Sequence, residues 1–144
     1  MALMIYDTRR KQKVAFKPIN SGNISMYVCG VTVYDLCHLG HARCYVAFDV
    51  IHRWLESSGY DVNYIQNFTD IDDKIILRAN EKGVDFLELV EENINAYFED
   101  MDALNILRAD QYPRCTEYVE QMISITEDLI TKNHAYVTND GVYF

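Results

Sequence analysis

The pattern of apolar and polar positions predicts a strand, a helix and a second strand in the first half of the chain. Residues 26–29 are apolar at consecutive positions, which is typical of a parallel strand covered on both faces. Across residues 42–58 the apolar positions follow helical spacing, and Gly59 is placed to cap this helix in the left-handed conformation. Residues 61–66 alternate polar and apolar and predict the second strand, so that short connections favour a right-handed βαβ unit. The apolar positions of the helix are Val46, Val50, Ile51, Trp54 and Leu55.

The remaining pattern predicts further strands and helices on both sides of this unit. They are two strands at residues 3–6 and 14–16, a helix of about two turns that Gly83 ends, a helix at residues 86–104 behind a capping-box-like Asp85 and Glu88, a helix from Thr116 to Asn133, and a β-hairpin at residues 135–144. The chain stops three residues into the return strand of that hairpin. We therefore expect the chain to be the first part of a longer protein.

Composition and charge are those of an acidic globular protein. The 144 residues suffice for one domain with a hydrophobic core, and 13 Lys and Arg residues against 22 Asp and Glu residues give a net charge of −9. An acidic surface repels phosphate backbones, which argues against general nucleic-acid binding by this chain alone. Its four cysteines lack paired spacing, and it shows neither a signal-peptide pattern nor an apolar run of membrane-spanning length, so we expect a cytoplasmic protein without a membrane partner.

Two histidines at the predicted start of the long helix are the sharpest chemical signal. His38 and His41 stand three residues apart, which places both on one face of a starting helix. They can donate hydrogen bonds to an anion that the free backbone N–H groups and the helix dipole already favour. Gly40 lets a flat ring or a phosphate approach the backbone closely. The alternative is two surface histidines near a turn, since four-residue patterns recur by chance.

These residues, taken with others along the chain, resemble the class I aminoacyl-tRNA synthetases and, within that class, the cysteinyl-tRNA synthetases. The matching segments are residues 27–35, His38-Leu-Gly-His-Ala-Arg43, Thr69-Asp-Ile-Asp-Asp-Lys74, residues 102–107 and residues 134–136. The resemblance covers nearly the whole chain. It implies an α/β fold, the first half of a Rossmann-like parallel-sheet nucleotide-binding domain that the start of an inserted domain interrupts. The implied divisions are an N-terminal hairpin extension at 1–22, the half-domain at 23–133 and the start of the connective insertion at 134–144.

The resemblance implies ATP-dependent ligation. The carboxylate of L-cysteine attacks the α-phosphate of ATP, used with Mg²⁺, to give cysteinyl-adenylate and pyrophosphate, and the cysteinyl group then passes to the 3′-terminal ribose of tRNA(Cys). By family analogy, His38 and His41 are the catalytic residues that bind the ATP phosphates, and Gly40 lies beneath the adenosine. A monomer is expected.

The resemblance also implies a zinc site at Cys29, where the substrate thiol would bind the same ion. A borderline-soft cation prefers thiolate to hydroxyl, which would separate cysteine from serine. Gly30 and Thr69 are the implied substrate-binding residues beside it. The other zinc ligands would lie beyond residue 144, so the chain alone is expected to bind zinc weakly and to be inactive. Cys37, Cys44 and Cys115 are interpreted as structural.

Several alternatives stay open at this point. Asp70, Asp72 and Asp73 cap helices, or one of them pairs with the ammonium group of the substrate. Arg43 and Lys74 are solvated charges or partners of a phosphate or acid. The nearest rival function is the ligase that joins cysteine to an amino sugar in mycothiol synthesis, and another is a non-catalytic module.

Overall fold

Strands and helices follow one another in the order that the sequence predicts. The computed structural model describes residues 3–144. The strands are β1 (Met4–Asp7), β2 (Gln12–Ala15), β3 (Asn23–Val28), β4 (Asp61–Gln66), β5 (Tyr136–Val137) and β6 (Val142–Tyr143), and the helices are α1 (Leu39–Ser57), α2 (Asp73–Lys82), α3 (Phe86–Ala103) and α4 (Val119–Thr131). The predicted helix start at Thr116 is wrong in one respect, because a 3₁₀ turn occupies Cys115–Tyr118 before α4 begins.

The predicted start and stop signals of the helices act as expected. Gly59 and Gly83 have φ angles of 88° and 67°, the left-handed conformation that ends α1 and α2. The side chain of Asp85 accepts hydrogen bonds from the backbone N–H groups of Leu87 and Glu88, which caps α3. Asn133 follows α4 with a φ angle of 58°. Local chemistry therefore sets the ends of the helices.

A parallel sheet forms the centre of the fold. β3 and β4 pair in parallel from Asn23 opposite Asp61 to Val28 opposite Gln66, and α1 connects them. A third extended segment lies on the other side of β4, where Gln111 and Arg114 form parallel bridges with Ile65 and Phe68. The βαβ unit and the α/β class with a parallel sheet are confirmed, and the described segment is a partial Rossmann-like fold.

The expectation that the first strand is covered on both faces is wrong. In β3 the side chains of Ile24 and Val28 are buried, whereas the ring of Tyr27 is 63% exposed. The strand alternates between a core face and an exposed face, as its burial pattern shows. An apolar run alone does not tell which of its faces is covered.

The buried face of α1 also differs from the predicted one. The helix buries Tyr45, Asp49, His52 and Leu55, so Leu55 is the one member of the predicted apolar stripe that reaches the core. The other members, Val46, Val50, Ile51 and Trp54, are each at least 41% exposed. Polar burial is possible here because the carboxylate of Asp49 accepts hydrogen bonds from Arg53 at 2.7 Å and from the backbone N–H of Leu107 at 2.9 Å.

An aromatic cluster joins α3 to the sheet. The rings of Phe68, Tyr97, Phe98 and Tyr112 lie with centroids 5.0–5.6 Å apart, mostly edge to face. Beside them the hydroxyl of Tyr64 donates to Gln66 Oε1, and Gln66 Nε2 donates to the hydroxyl of Tyr97 at 2.6 Å. Packing and hydrogen bonds together hold the end of β4, where the candidate site begins.

Two antiparallel hairpins flank this unit. β1 pairs with β2 and β5 pairs with β6, which confirms both predicted hairpins. The divisions at 1–22, 23–133 and 134–144 stay predictions, and the first two residues of the first division lie outside the described residues. Within residues 3–144 no helix combines the length and apolar character that a membrane crossing needs.

Candidate active site

The candidate site lies where β3 and β4 end, the edge at which open parallel sheets bind their ligands. The loop that follows β3 and the loop that follows β4 run side by side. The backbone N–H of Val33 donates to the carbonyl of Thr69 at 3.2 Å, and the N–H of Thr69 donates to the carbonyl of Val31 at 3.0 Å. From α3, the buried amide of Asn93 donates to the carbonyl of Val33 at 3.0 Å. The sheet ladder thus extends into both loops.

The two predicted histidines cap α1 with their own rings. His38 is the N-cap residue, and its Nδ1 atom accepts a hydrogen bond from the backbone N–H of Gly40 at 3.0 Å. In return, Nδ1 of His41 accepts from the backbone N–H of His38 at 3.2 Å. The rings stack with centroids 3.9 Å apart and an angle of 20° between their planes. This is a capping box in which imidazoles replace the usual hydroxyl and carboxylate.

This geometry sets the tautomer of both rings. A nitrogen that accepts a backbone N–H carries no proton, so the proton of each neutral imidazole lies on Nε2. Two Nε2–H donors therefore stand at the start of α1, where the backbone N–H of Gly40 already donates to His38 Nδ1. Because donors and the positive end of the helix dipole coincide there, the arrangement suits an anion such as a phosphate.

Burial lowers the pKa of His41 below its ordinary value, and the neighbouring His38 adds to the shift. The neutral ring that the hydrogen bond to His38 requires is thereby favoured. A protonated ring would lose its acceptor atom and would stand at the positive end of the helix dipole. Charge, burial and capping thus favour the same protonation state.

Glycine at position 40 leaves room for the capping ring of His38. A Cβ atom at position 40 would lie 2.7 Å from Cε1 of His38, so any side chain there would push the ring away. The contact with adenosine that the resemblance implies for Gly40 stays a prediction. The structure supplies a separate reason for glycine, which is the clearance of the capping ring.

Cys29 follows the last residue of β3 and is exposed. Its carbonyl oxygen lies 3.5 Å from the hydroxyl of Tyr45, which is buried on α1 one turn after His41. Tyr45 thus joins the cysteine end of the site to the histidine end. The sequence analysis missed this residue, although its position four residues after His41 places it on the same helix face.

Gly30 and Thr69 meet at Asn67, a second residue that the sequence analysis missed. A Cβ atom at Gly30 would lie 1.5 Å from the carbonyl oxygen of Asn67, which leaves no room for a side chain. Asn67 Oδ1 accepts the backbone N–H of Gly30 at 2.9 Å, and its Nδ2 atom lies 3.4 Å from Thr69 Oγ1. Cys29, Gly30 and Thr69 therefore belong to one local network.

A complete zinc site is not formed by the described part of the chain. The thiol of Cys29 is a suitable donor, but a closed zinc site takes four ligands. Residues 3–144 contain no group of three or more His, Cys, Asp or Glu side chains able to hold a metal ion. The zinc site at Cys29 stays a prediction that requires ligands from outside these residues.

The acidic cluster after β4 has structural partners. Asp70 is buried and accepts from the backbone N–H of Thr116 at 3.0 Å, and Asp72 caps α2 by accepting from the N–H of Lys74 at 2.9 Å. The capping prediction is confirmed for Asp72, while Asp73 is exposed in the first turn of α2. Lys74 holds its ammonium 5.7 Å from the centre of the Tyr34 ring.

The other cysteines differ in their surroundings, although all four thiols are free. Cys37 is half-buried, and burial together with the carboxylate of Asp100 raises the pKa of its thiol to about 11, which keeps it protonated and unreactive. The Sγ atom of Cys115 lies 3.9 Å from Asn67 Nδ2. Cys44 is exposed on α1, so packing does not explain it.

A cavity of about 400 Å³ opens on the exposed face of the sheet. Tyr27, Asn67, Cys115 and Tyr118 contribute to its lining. The cavity reaches the candidate site through Asn67, while the capping histidines lie outside it. The structure thus brings the predicted residues to one edge of the sheet without enclosing them in one pocket.

Solved structures of aminoacyl-tRNA synthetases have a similar fold. A Mycobacterium tuberculosis methionyl-tRNA synthetase in complex with methionyl-adenylate superposes with a TM-score of 0.69 and 25% identity, covering 78% of this chain and 23% of that chain. LeuRS of Agrobacterium radiobacter K84, in a ternary complex with tRNA and LeuAMS, gives a TM-score of 0.68 at 20% identity, covering 83% of this chain and 16% of that chain. The likeness to LeuRS shows the fold alone.

The model of the tRNA synthetases class I (C) catalytic domain matches residues 15–144, and the chain belongs to this family. Similar proteins carry a more particular name. A cysteine–tRNA ligase of Cronobacter sakazakii is 53% identical over 139 residues, and one of Escherichia coli O1:K1 is 55% identical over the same length; each alignment covers 96% of this chain and 30% of the relative. The predicted family is confirmed, and the chain spans about 30% of the length of the relatives it matches.

The histidine cap predicts a specific NMR signature. In a chain labelled with ¹⁵N, we expect Nδ1 of both His38 and His41 to be unprotonated and Nε2 to carry the proton at neutral pH. The pKa of His41 should lie below the ~6.5 of an unperturbed imidazole. Long-range ¹H–¹⁵N spectra recorded across a pH titration measure both quantities. A protonated Nδ1 on either ring at neutral pH would contradict the cap.

The same shift predicts how stability depends on pH. Because the pKa of His41 is lower in the folded chain than in the unfolded chain, the unfolded chain binds the proton first as the pH falls. This contribution of His41 to the free energy of unfolding is present at pH values above its pKa in the unfolded chain. It is lost as the pH falls through its lower pKa in the folded chain.

The contact at Gly30 predicts that alanine is not tolerated there. Gly30→Ala would place a methyl group inside the van der Waals radius of the Asn67 carbonyl, so the free energy of unfolding should fall by at least ~1–3 kcal/mol. Gly141→Ala is the matched control, since nothing lies within 4 Å of its Cβ position. Chemical denaturation followed by circular dichroism measures both variants. Equal stability of the two would show that the approach of the loops is looser than described.

Proposed function

We propose that this chain provides the ATP-binding and cysteine-binding part of a cysteine–tRNA ligase. The activity of the whole enzyme is ATP-dependent activation of L-cysteine to cysteinyl-adenylate, followed by transfer to tRNA(Cys). Membership of the class I family and the names of its 53–55% identical relatives support the choice of reaction. They favour charging of tRNA over the coupling of cysteine to an amino sugar. The observation that carries the proposal is the imidazole cap at the start of α1.

The chemistry of the phosphate end follows from that cap. As the cysteine carboxylate attacks the α-phosphate, negative charge builds on the phosphate oxygens and on the departing pyrophosphate. The Nε2–H groups of His38 and His41 would donate to these oxygens at the positive end of the α1 dipole. Such donors stabilise the transition state efficiently because they are already oriented and need no reorganisation during the reaction. The same groups would bind ATP with its Mg²⁺ in the ground state.

The amino-acid end would be formed by Cys29, Gly30 and Thr69 beyond the ends of β3 and β4. In the whole enzyme a zinc ion bound by Cys29 and by ligands from outside this chain would select the thiol of cysteine over the hydroxyl of serine. Thr69 and the backbone at Gly30 would contact the rest of the amino acid. Both ends follow strands at the same edge of the sheet, and the carboxylate would meet the α-phosphate between them.

The acidic balance of this chain supports a division of labour. With a net charge of −9 it would contribute little to the backbone contacts of tRNA, which other parts of the enzyme would make. We propose a monomeric enzyme that works in the cytoplasm, where translation uses its product.

His41→Ala tests the role of the cap in catalysis. The experiment uses a hybrid enzyme in which this chain replaces the matching 30% of the Escherichia coli relative. Cysteine-dependent exchange of pyrophosphate into ATP should fall roughly 10²- to 10³-fold, because one oriented donor to the transition state is lost, while the KM for cysteine changes little.

Two further variants of the hybrid enzyme separate catalysis from folding. Glutamine at position 41 is a normal capping-box residue, so His41→Gln should restore the stability of α1 without restoring the exchange rate. His134→Ala removes an exposed histidine near the C-terminal hairpin and should leave the exchange rate unchanged. An unchanged turnover of His41→Ala would refute the assigned role, and a folded hybrid without any cysteine-dependent exchange would refute the proposed function.

Zinc content tests the incomplete metal site. We expect the 144-residue chain to retain far less than one zinc ion per molecule after desalting, because Cys29 alone cannot close a tetrahedral site. The hybrid enzyme should retain about one ion, and Cys29→Ser in the hybrid should release it. Inductively coupled plasma mass spectrometry gives the stoichiometry. A full equivalent of zinc in the isolated chain would contradict the assignment of the other ligands to regions outside it.

A further inference from the structure

Asn67 lies where the two loops of the candidate site come closest. It is the first residue after β4, it is half-buried, and it stands opposite the Cys29–Gly30 turn that follows β3. Neither the resemblance nor the comparisons assign it a role. Its surroundings are polar and specific, which distinguishes it from the exposed Asn63 within β4.

The side-chain oxygen of Asn67 accepts two hydrogen bonds, one from β3 and one from the loop that follows it. The hydroxyl of Tyr27 donates to Oδ1 at 2.9 Å, and the backbone N–H of Gly30 donates to the same atom at 2.9 Å. An amide oxygen offers two lone pairs, so both are used. The two donors lie on either side of Cys29 in the sequence. Asn67 therefore binds the backbone just after the predicted zinc ligand and the side chain of Tyr27 two residues before it.

The side-chain nitrogen of Asn67 faces the other substrate-binding residue. Nδ2 lies 3.4 Å from Thr69 Oγ1 and 3.9 Å from Cys115 Sγ. One amide thus touches Gly30 through its oxygen and Thr69 through its nitrogen. These are the residues to which the proposed function gives contacts with the cysteine substrate.

The main chain of Asn67 fixes the same spacing independently. Its carbonyl oxygen occupies the place that a Cβ atom of Gly30 would need, so the two backbones are in direct contact. The ladder between Val31, Val33 and Thr69 already holds the far ends of the loops together. The amide of Asn67 adds a further constraint at the end where Cys29 stands.

We propose that Asn67 is a positioning residue for the amino-acid end of the site, which sets the distance between the Cys29–Gly30 turn and Thr69. The substrate in this assignment rests on the proposed function, whereas the lock on the turn does not. Loss of the amide leaves the Gly30 N–H without its acceptor and frees the ring of Tyr27. The contacts to cysteine then loosen, while the histidine cap on α1 keeps its own hydrogen bonds.

Hydrogen exchange at Gly30 tests the lock on the 144-residue chain itself. Asn67→Leu keeps the volume of the side chain and removes all of its hydrogen bonds, so exchange of the Gly30 amide should become at least roughly tenfold faster. Asn67→Asp keeps a side-chain acceptor and should restore slow exchange. Asn63→Leu is the matched control and should leave the Gly30 amide unchanged. If Asn67→Leu does not fold, Tyr27→Phe removes one donor from an exposed ring and should speed exchange by a smaller factor.

Kinetics of the hybrid enzyme test the effect on the substrate. Asn67→Leu should raise the KM for cysteine roughly tenfold in pyrophosphate exchange and leave the KM for ATP within about twofold, and Asn67→Asp should recover most of the loss. A structural defect alone would raise both constants or lower the melting temperature without a difference between the two substrates. His41→Ala differs from both, since it should lower the exchange rate itself with little change in the KM for cysteine.

Each outcome decides a separate point. Unchanged exchange at Gly30 in Asn67→Leu overturns the lock, and faster exchange with an unchanged KM for cysteine overturns the positioning role. Parallel rises in both KM values also overturn it. If the unsubstituted hybrid shows no cysteine-dependent exchange, the proposed function fails, while the exchange data on the 144-residue chain still decide whether Asn67 holds the turn.

Discussion

Parallel pairing of β3 with β4 is the constraint on which the candidate site depends. The register from Asn23 opposite Asp61 to Val28 opposite Gln66 brings the Cys29–Gly30 turn against Asn67. A slip of one residue would turn every side chain of one strand to the other face of the sheet. The buried hydrogen-bonded chain from Tyr64 through Gln66 to Tyr97 opposes a slip of β4, because it requires Tyr64 and Gln66 on the core face of the sheet. Side-chain hydrogen bonds in the core thus support the geometry of the exposed loops.

The choice of histidine for the cap of α1 solves an electrostatic conflict. A helix start needs acceptors for its free N–H groups, and aspartate or serine usually supplies them. A carboxylate at this place would repel the phosphate that the proposed function brings to the helix start. A neutral imidazole accepts with one nitrogen and donates with the other, so it caps the backbone without bringing a negative charge. The lowered pKa of His41 keeps the ring in the form that can do both.

Local signals in the sequence were sufficient to predict where the helices and strands lie. They were insufficient to predict which face of each element is buried. Gly59, Gly83 and Asp85 act on their own turns, so their effects could be predicted from neighbouring residues. The buried face of α1 could not, because Asp49 is buried through its hydrogen bond to Leu107, 58 residues away. Asn67 escaped notice for the same reason, since its partner Gly30 is 37 residues distant. Motif resemblance located both histidines, but their mutual capping and the clearance at Gly40 appear only in three dimensions.

The two ends of the site are anchored by separate sets of contacts. The histidine end relies on backbone groups of α1, whereas the amino-acid end relies on the amide of Asn67 and the loop ladder. The fold recurs in proteins named for methionine and for leucine. Under the proposed function, separate anchoring would let the loop after β3 change to suit a new amino acid while the helix start keeps its contacts with the nucleotide.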